Sequence, residues 1–174
     1  DVHVRAISGS LTDHYDPRTK TVSLSEDIYG QTSLAAVGVA AHECGHAIQH
    51  AKGYVPLRVR GAFVPIANIG SNLAWPLIII GLIFRGSMSS VLIQAGIIMF
   101  SLAVLFQLIT LPVEFNASGR AVAVLSESYL PEEEVRGVKA VLSAAALTYV
   151  AAALQALLQL LRLILLSSNN RRRD

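Results

Sequence analysis

The chain has 174 residues, of which 53% are hydrophobic and only 15% charged, and its formal net charge is +2. A soluble globular domain carries about 25% charged residues, so this composition excludes an ordinary soluble domain and indicates a membrane protein. The small, dispersed positive charge argues against a nucleic-acid partner, and a single cysteine excludes an intrachain disulfide. Because the chain begins at Asp1 without a signal-like segment, we expect it to be a fragment.

Residues 1–30 form the polar, N-terminal part of the chain. Residues 2–7 and 21–25 alternate between apolar and polar, which predicts two short strands, and the polar segment 11–18 contains a turn signal. We expect the two strands to pair as a small N-terminal β-hairpin. Its open edge could hydrogen-bond an extended peptide backbone, and a purely structural cover for the next helix is an equal alternative.

Residues 33–50 are rich in alanine and free of proline, which predicts one helix. This segment contains the run His42-Glu43-Cys44-Gly45-His46. Residues four apart share a helix face, so the imidazoles of His42 and His46 can bind one metal ion. Glu43 follows His42 directly and therefore points about 100° round the helix from it. There it can hold a metal-bound water but is poorly placed as a ligand. Zinc peptidases use this arrangement to deprotonate water.

Two further residues of this run complete the prediction. Gly45 leaves room for another element to approach closely, and Cys44 lies on a different face from the histidines, so we expect it to pack rather than bind zinc. The alternative is a buried helix with two incidental histidines. Burying two histidines and an acid without a shared partner is costly, which argues against that alternative.

Three apolar segments are long enough to cross a membrane. Residues 63–84 and 91–111 predict a transmembrane hairpin, joined by a polar turn from Arg85 to Ser90, and residues 138–166 predict a third span. Two crossings return the chain to its starting side, so the segment from Pro112 should emerge on the face of the histidine helix. The chain then divides into a surface part, the hairpin, a connector and a C-terminal span, at residues 1–62, 63–111, 112–137 and 138–174.

Glu114 is the only acidic residue between Glu43 and Glu127. A catalytic zinc normally has three protein ligands and a water, and Glu114 lies where a site at the membrane surface needs its third ligand. Equally, a glutamate just after Pro112 favours the start of a helix. The spacing alone leaves both interpretations open.

The distribution of basic residues predicts the orientation. More of them flank the spans on the side of the metal site than on the side of Arg85 and the tail 171–173, which favours a cytoplasmic metal site in a multi-pass cell-membrane protein. Those on the metal-site side are Lys52, Arg58, Arg60, Arg120, Arg136 and Lys139.

The sequence resembles the bacterial YugP-like neutral zinc metallopeptidases in four blocks: residues 11–17, 39–49, 111–118 and 144–152. The resemblance implies a mainly α integral membrane protein with a zincin-like metal-binding helix, Zn²⁺ held by His42, His46 and Glu114, and Glu43 as general base. That family typically has a further N-terminal membrane helix, which we do not expect in this chain.

The layout also resembles the HtpX and CAAX prenyl protease group, whose third-ligand motif ends in aspartate where this chain has Ser118. A carboxylate there would orient a ligand histidine, and Ser118 or Asn116 could substitute more weakly. His50 is expected to be a helix-end residue rather than a ligand. His14, with Tyr15, is the candidate for stabilising the oxyanion, with a structural turn as an equal alternative.

The predicted function is a membrane-bound zinc endopeptidase acting on polypeptides at or near the bilayer surface, along the N-terminal hairpin. The first alternative is a site-2-type intramembrane protease, which uses an Asp-Gly ligand motif that does not occur in this sequence. The second is a non-catalytic membrane scaffold with a structural metal, in which Glu43 would be dispensable.

Overall fold

The computed structural model describes residues 1–84 and 86–170. The described part is mainly helical with a small N-terminal sheet, as predicted, and comprises strands β1 (His3–Ile7), β2 (His14–Asp16) and β3 (Thr21–Ser25) and helices α1 (Leu34–Ala51), α2 (Val55–Ile83), α3 (Ser87–Ser128) and α4 (Glu132–Asn170). Arg85 and the arginine tail, on which part of the orientation argument rests, lie outside the described residues.

The N-terminal sheet has the strand order β1-β3-β2. The two predicted strands are present, but the prediction that they pair as a hairpin is wrong: β1 pairs with β3 in parallel. The hairpin is formed instead by β2 and β3, which pair antiparallel. Strand β2 lies in the polar segment 11–18 and was not predicted. Its three exposed or half-buried residues form too short a pattern to be recognised as a strand.

Asp13 fixes the start of this hairpin. Its carboxylate accepts hydrogen bonds from the backbone N–H and the hydroxyl of Ser25, at 2.7 and 3.0 Å. Strand β3 is therefore held between two neighbours, and all five of its residues are buried. Strand β1 lies at an edge of the sheet and is exposed over four of its five residues.

Helix α1 begins and ends where the sequence predicts. The side chain of Ser33 accepts a hydrogen bond from the backbone N–H of Ala36, an N-cap that satisfies one of the free donors of the first turn. Gly53 follows the helix with φ of +62°, a conformation that glycine adopts without steric cost.

The chain forms two compact units. The first consists of residues 1–58 and 111–148, and it contains the sheet, α1, the end of α3 and the beginning of α4. Its apolar core is built on buried residues of α3 and α4, against which partly buried residues of α1 pack; the buried ones are Ala121, Leu125, Val138 and Leu142.

Of the described residues, the second unit comprises 59–84, 86–110 and 149–170. Within it, α2 and α3 approach closely at small residues: a Cβ on Gly70 would lie 2.6 Å from the carbonyl oxygen of Met99, and one on Gly96 2.9 Å from that of Ala74. Small residues at such contacts are typical of membrane helices. In the described residues, three helices are long and apolar enough to cross a membrane: Val55–Ile83, Ser87–Glu127 and Glu132–Ser168.

Helix α3 runs through Pro112 without ending. A proline inside a helix removes one backbone donor, a loss that long membrane helices tolerate. Glu114 therefore lies well inside a 42-residue helix, and the alternative that it favours a helix start is wrong.

Candidate metal centre

Three side chains from two helices meet in the first unit. Helix α1 supplies His42 and His46 and helix α3 supplies Glu114, and one potential ligand atom from each lies within 4.8 Å of the others. The Oε2 atom of Glu114 lies 3.1 Å from Nε2 of His42 and 3.7 Å from Nε2 of His46. The structure thus brings together the three residues predicted as metal ligands.

The donor set fits zinc. Two imidazole nitrogens and a carboxylate oxygen are the ligands of many catalytic zinc sites, and with bonds of about 2.0 Å a tetrahedral ion sets its ligands about 3.3 Å apart. The separations of 3.1 and 3.7 Å lie on either side of that value. The Nε2 atoms of both rings lie near the same Glu114 oxygen. The two rings are nearly perpendicular, with centroids 4.8 Å apart, so they do not stack.

The other nitrogen of each ring also has a partner. Nδ1 of His42 lies 3.0 Å from the hydroxyl of Ser118, and Nδ1 of His46 lies 3.0 Å from Oε1 of Gln49. Partners at Nδ1 leave the Nε2 lone pairs for a metal and hold the rings in place. Ser118 thus lies where the sequence suggested a substitute for the aspartate of the related group.

Glu43 lies beside this cluster and is 8% exposed. Burial raises the pKa of its carboxyl group, although the neighbouring histidines act in the opposite direction. The negative charges of Glu114 and Asp13 also raise this pKa. A carboxylate whose proton affinity is raised is suited to accepting a proton.

His46 is buried against Glu114. Burial opposes the charged imidazolium, but the hydrogen bond and the negative charge of Glu114 outweigh it, so the pKa of His46 is raised. This mutual attraction stabilises a cluster that would otherwise be costly to bury.

The structure also places the other residues that the sequence singled out, which are His14, Tyr15, His50 and Cys44. His14 is exposed, and its Nδ1 lies 2.8 Å from the carbonyl oxygen of Thr12. The hydroxyl of Tyr15 lies 2.8 Å from Nδ1 of His50, at the end of α1, so the helix-end placement of His50 is confirmed. Cys44 is exposed, so the prediction that it packs is wrong: the neighbouring elements that cover other residues of α1 leave this side chain open.

The sequence reasoning missed Gln49 and Arg120. Gln49 is completely buried, lies one turn beyond His46 on α1, and donates to the carbonyl oxygen of Val113 and to Oδ1 of Asn116. Arg120 donates to the same Oδ1. The three-residue spacing from His46 to Gln49 was the available signal, since residues three apart share a helix face.

Close approach of the two helices depends on Gly45. A Cβ at this position would overlap the carbonyl oxygen of Ala117 on α3. The prediction that Gly45 leaves room for another element is therefore confirmed. The residues of the cluster lie on either side of Gly45 and of Ala117, so this close contact brings Glu114 to the histidines.

Known proteins are similar to this chain over nearly its whole length. Residues 1–168 match the model of the family described as "Putative neutral zinc metallopeptidase". The chain is also 51% identical over 172 residues to the "Putative membrane protease YugP" of Bacillus subtilis (strain 168), a match that covers 98% of this chain and 75% of that protein. No solved structure matches it. The resemblance expected from the four sequence blocks is thus confirmed.

Proposed function

This chain belongs to the neutral zinc metallopeptidase family, and from that premise we propose that it is a membrane-bound zinc endopeptidase in which His42, His46 and Glu114 hold the metal. Zinc is the family's metal. The observation that carries the proposal is the convergence of these three ligand atoms within 4.8 Å, beside the buried carboxylate of Glu43.

In the proposed mechanism, Glu43 is the general base. When bound, zinc supplies a Lewis acid that polarises the peptide carbonyl and makes a water more acidic. Glu43 accepts a proton from the attacking water as the new C–O bond forms, and it passes that proton to the amine nitrogen as the C–N bond breaks. Burial raises the pKa of Glu43, and the higher proton affinity of its carboxylate favours the first of these transfers.

We propose a polypeptide at or near the membrane surface as the substrate. The chain passes directly from the apolar residues ending at Thr110 into the segment that carries Glu114, and the related protein from Bacillus subtilis is named a membrane protease. The exposed edge of β1 supports binding of an extended backbone by strand addition. Tyr15 or His14 at the start of the hairpin would be the donor opposite the metal.

An intramembrane protease of the site-2 type is disfavoured by the position of the histidines. They lie on α1, which is not among the three candidate spans of the described residues. The third ligand is followed by Phe-Asn rather than arranged in an Asp-Gly pair.

A non-catalytic scaffold with a structural metal is distinguished by the substitution Glu43→Gln. We expect this variant in detergent to bind about one zinc per chain, measured by mass spectrometry, but to lose cleavage of an unfolded model protein by at least about 100-fold. The matched control is Glu127→Gln, which changes an exposed acid of α3 and should leave both zinc content and cleavage unchanged.

The outcome separates the two functions. Loss of cleavage with zinc retained supports the peptidase. Cleavage that is absent from the native chain, or unchanged in Glu43→Gln, would favour the structural metal.

A further inference from the structure

One fully buried polar side chain beside the cluster has no part in the proposed reaction. Gln49 is 0% exposed, and its amide lies between His46 and helix α3. A buried amide is costly unless its hydrogen bonds are made, and in this case every bond it makes has a definite direction.

The orientation of the Gln49 amide follows from its partners. Its Nε2 donates to the carbonyl oxygen of Val113 at 2.8 Å and to Oδ1 of Asn116 at 3.0 Å. A backbone carbonyl can only accept, so the NH₂ group must face α3. Oε1 is then left facing Nδ1 of His46, at 3.0 Å.

Arg120 fixes the next amide in the same sense. Its Nε donates to Oδ1 of Asn116 at 2.8 Å, and a guanidinium has donors only. The Asn116 oxygen therefore must point towards both Arg120 and Gln49. Arg120 is itself held with its guanidinium carbon 5.8 Å from the ring centroid of Tyr54, a cation–π distance.

We infer that Gln49 is a positioning residue that keeps the His46 proton on Nδ1 and the lone pair of Nε2 directed at the metal position. Asn116, oriented by Arg120, acts together with the Val113 carbonyl to fix this polarity. Because Oε1 of Gln49 can only accept, Nδ1 of His46 has to donate. The inference rests on the proposed function in that His46 is taken as a zinc ligand. His42 has no such constraint, since the Ser118 hydroxyl can donate or accept.

The substitution Gln49→Met tests the inference, because it preserves side-chain length and removes the acceptor. We expect zinc affinity, measured in detergent by competition with a chelating dye, to fall by about tenfold or more, the usual effect of removing the partner of a ligand histidine. The control Gln31→Met makes the same change at an exposed position outside the helices and should leave the affinity unchanged.

A second measurement reports the tautomer itself. In protein labelled with ¹⁵N-histidine, His46 of the native chain should show a protonated Nδ1 whose hydrogen exchanges slowly with water. In Gln49→Met this signal should be lost. A Gln49 that only filled space would leave both signal and affinity at native values, and that result would overturn the inference.

If Gln49→Met does not fold, the zinc affinities of two Asn116 variants test the inference instead. Asn116→Asp keeps acceptors for Gln49 and Arg120, and should bind zinc as the native chain does. Asn116→Leu removes them and should bind more weakly. Equal zinc affinities in the two variants would contradict the role of Asn116 in orienting Gln49.

These readouts are separate from peptidase activity. A native chain that binds zinc without cleaving would contradict the proposed function, and weakened zinc binding in Gln49→Met would still support the inference. If the native chain bound no zinc, the proposed function would fail, and the difference in Nδ1–H exchange between the native chain and Gln49→Met would decide the inference.

Discussion

Two buried glutamates lie beside the same pair of histidines with different geometry. Glu114 is 3% exposed and places an oxygen within 3.7 Å of both Nε2 atoms. Glu43 is adjacent to His42 in the sequence and therefore lies about 100° round the helix from it. We expect Glu114 to hold the metal and Glu43 to transfer the proton.

The same substitution at each position distinguishes these roles. Glu114→Gln replaces a carboxylate ligand by a neutral, weaker one, so zinc affinity should fall by more than about 100-fold, beyond the effect of losing an outer partner. Glu43→Gln should retain near-native affinity. Chelator competition on the two purified variants measures both values, and native affinity in Glu114→Gln would exclude it as a ligand.

At the scale of residues, the sequence identified the cluster but not its support. The spacing of His42 and His46 and the chemistry of zinc ligands were sufficient to propose three donors. The role of Gln49 depends on which groups surround its amide, and those groups come from a helix more than 60 residues away in the chain. No local pattern contains that information.

At the scale of elements, the contact between α1 and α3 requires glycine. In Gly45→Ala the added Cβ would overlap the Ala117 carbonyl oxygen, and backbone on both sides leaves little room to relax. We expect the free energy of unfolding to fall by about 1–3 kcal/mol and zinc affinity to fall with it, measured by thermal unfolding in detergent and chelator competition.

Gly119 on α3 provides the matched control. A Cβ at that position meets no atom within 4 Å, and alanine is a better helix former than glycine by about 1 kcal/mol. Gly119→Ala should therefore leave the melting temperature unchanged or raise it. Equal destabilisation by the two substitutions would show that the close contact at Gly45 is unimportant.

The elements were predictable to different degrees. The alanine-rich run 33–50, which contains no proline, predicted the bounds of α1 to within one residue. The pairing of the strands was not predictable, because β3 forms its hairpin with β2, a strand of three residues whose pattern is too short to recognise. The continuity of α3 through Pro112 was also missed, since the proline signal favours a break.

At the scale of the whole molecule, the composition and the apolar segments of the sequence identified a membrane protein and its candidate spans. The three apolar segments of the sequence correspond to three helices long enough to cross a bilayer. The side of the membrane that carries the metal site follows from no contact within the chain. It depends on the charged residues that flank the spans and on how they orient the chain during membrane insertion. The cytoplasmic placement of the metal site therefore stays a prediction.

Cys44 allows this placement to be measured directly. It is the only cysteine of the chain, it is exposed, and it lies between the two histidines. If the metal site is cytoplasmic, a membrane-impermeant maleimide should label the protein in inverted membrane vesicles and not in right-side-out vesicles. Cys44→Ser should abolish labelling. Adding Met88→Cys, at an exposed position in the first turn of α3, should restore it in right-side-out vesicles only. Labelling of Cys44 in right-side-out vesicles would place the site, and any substrate, on the outer side.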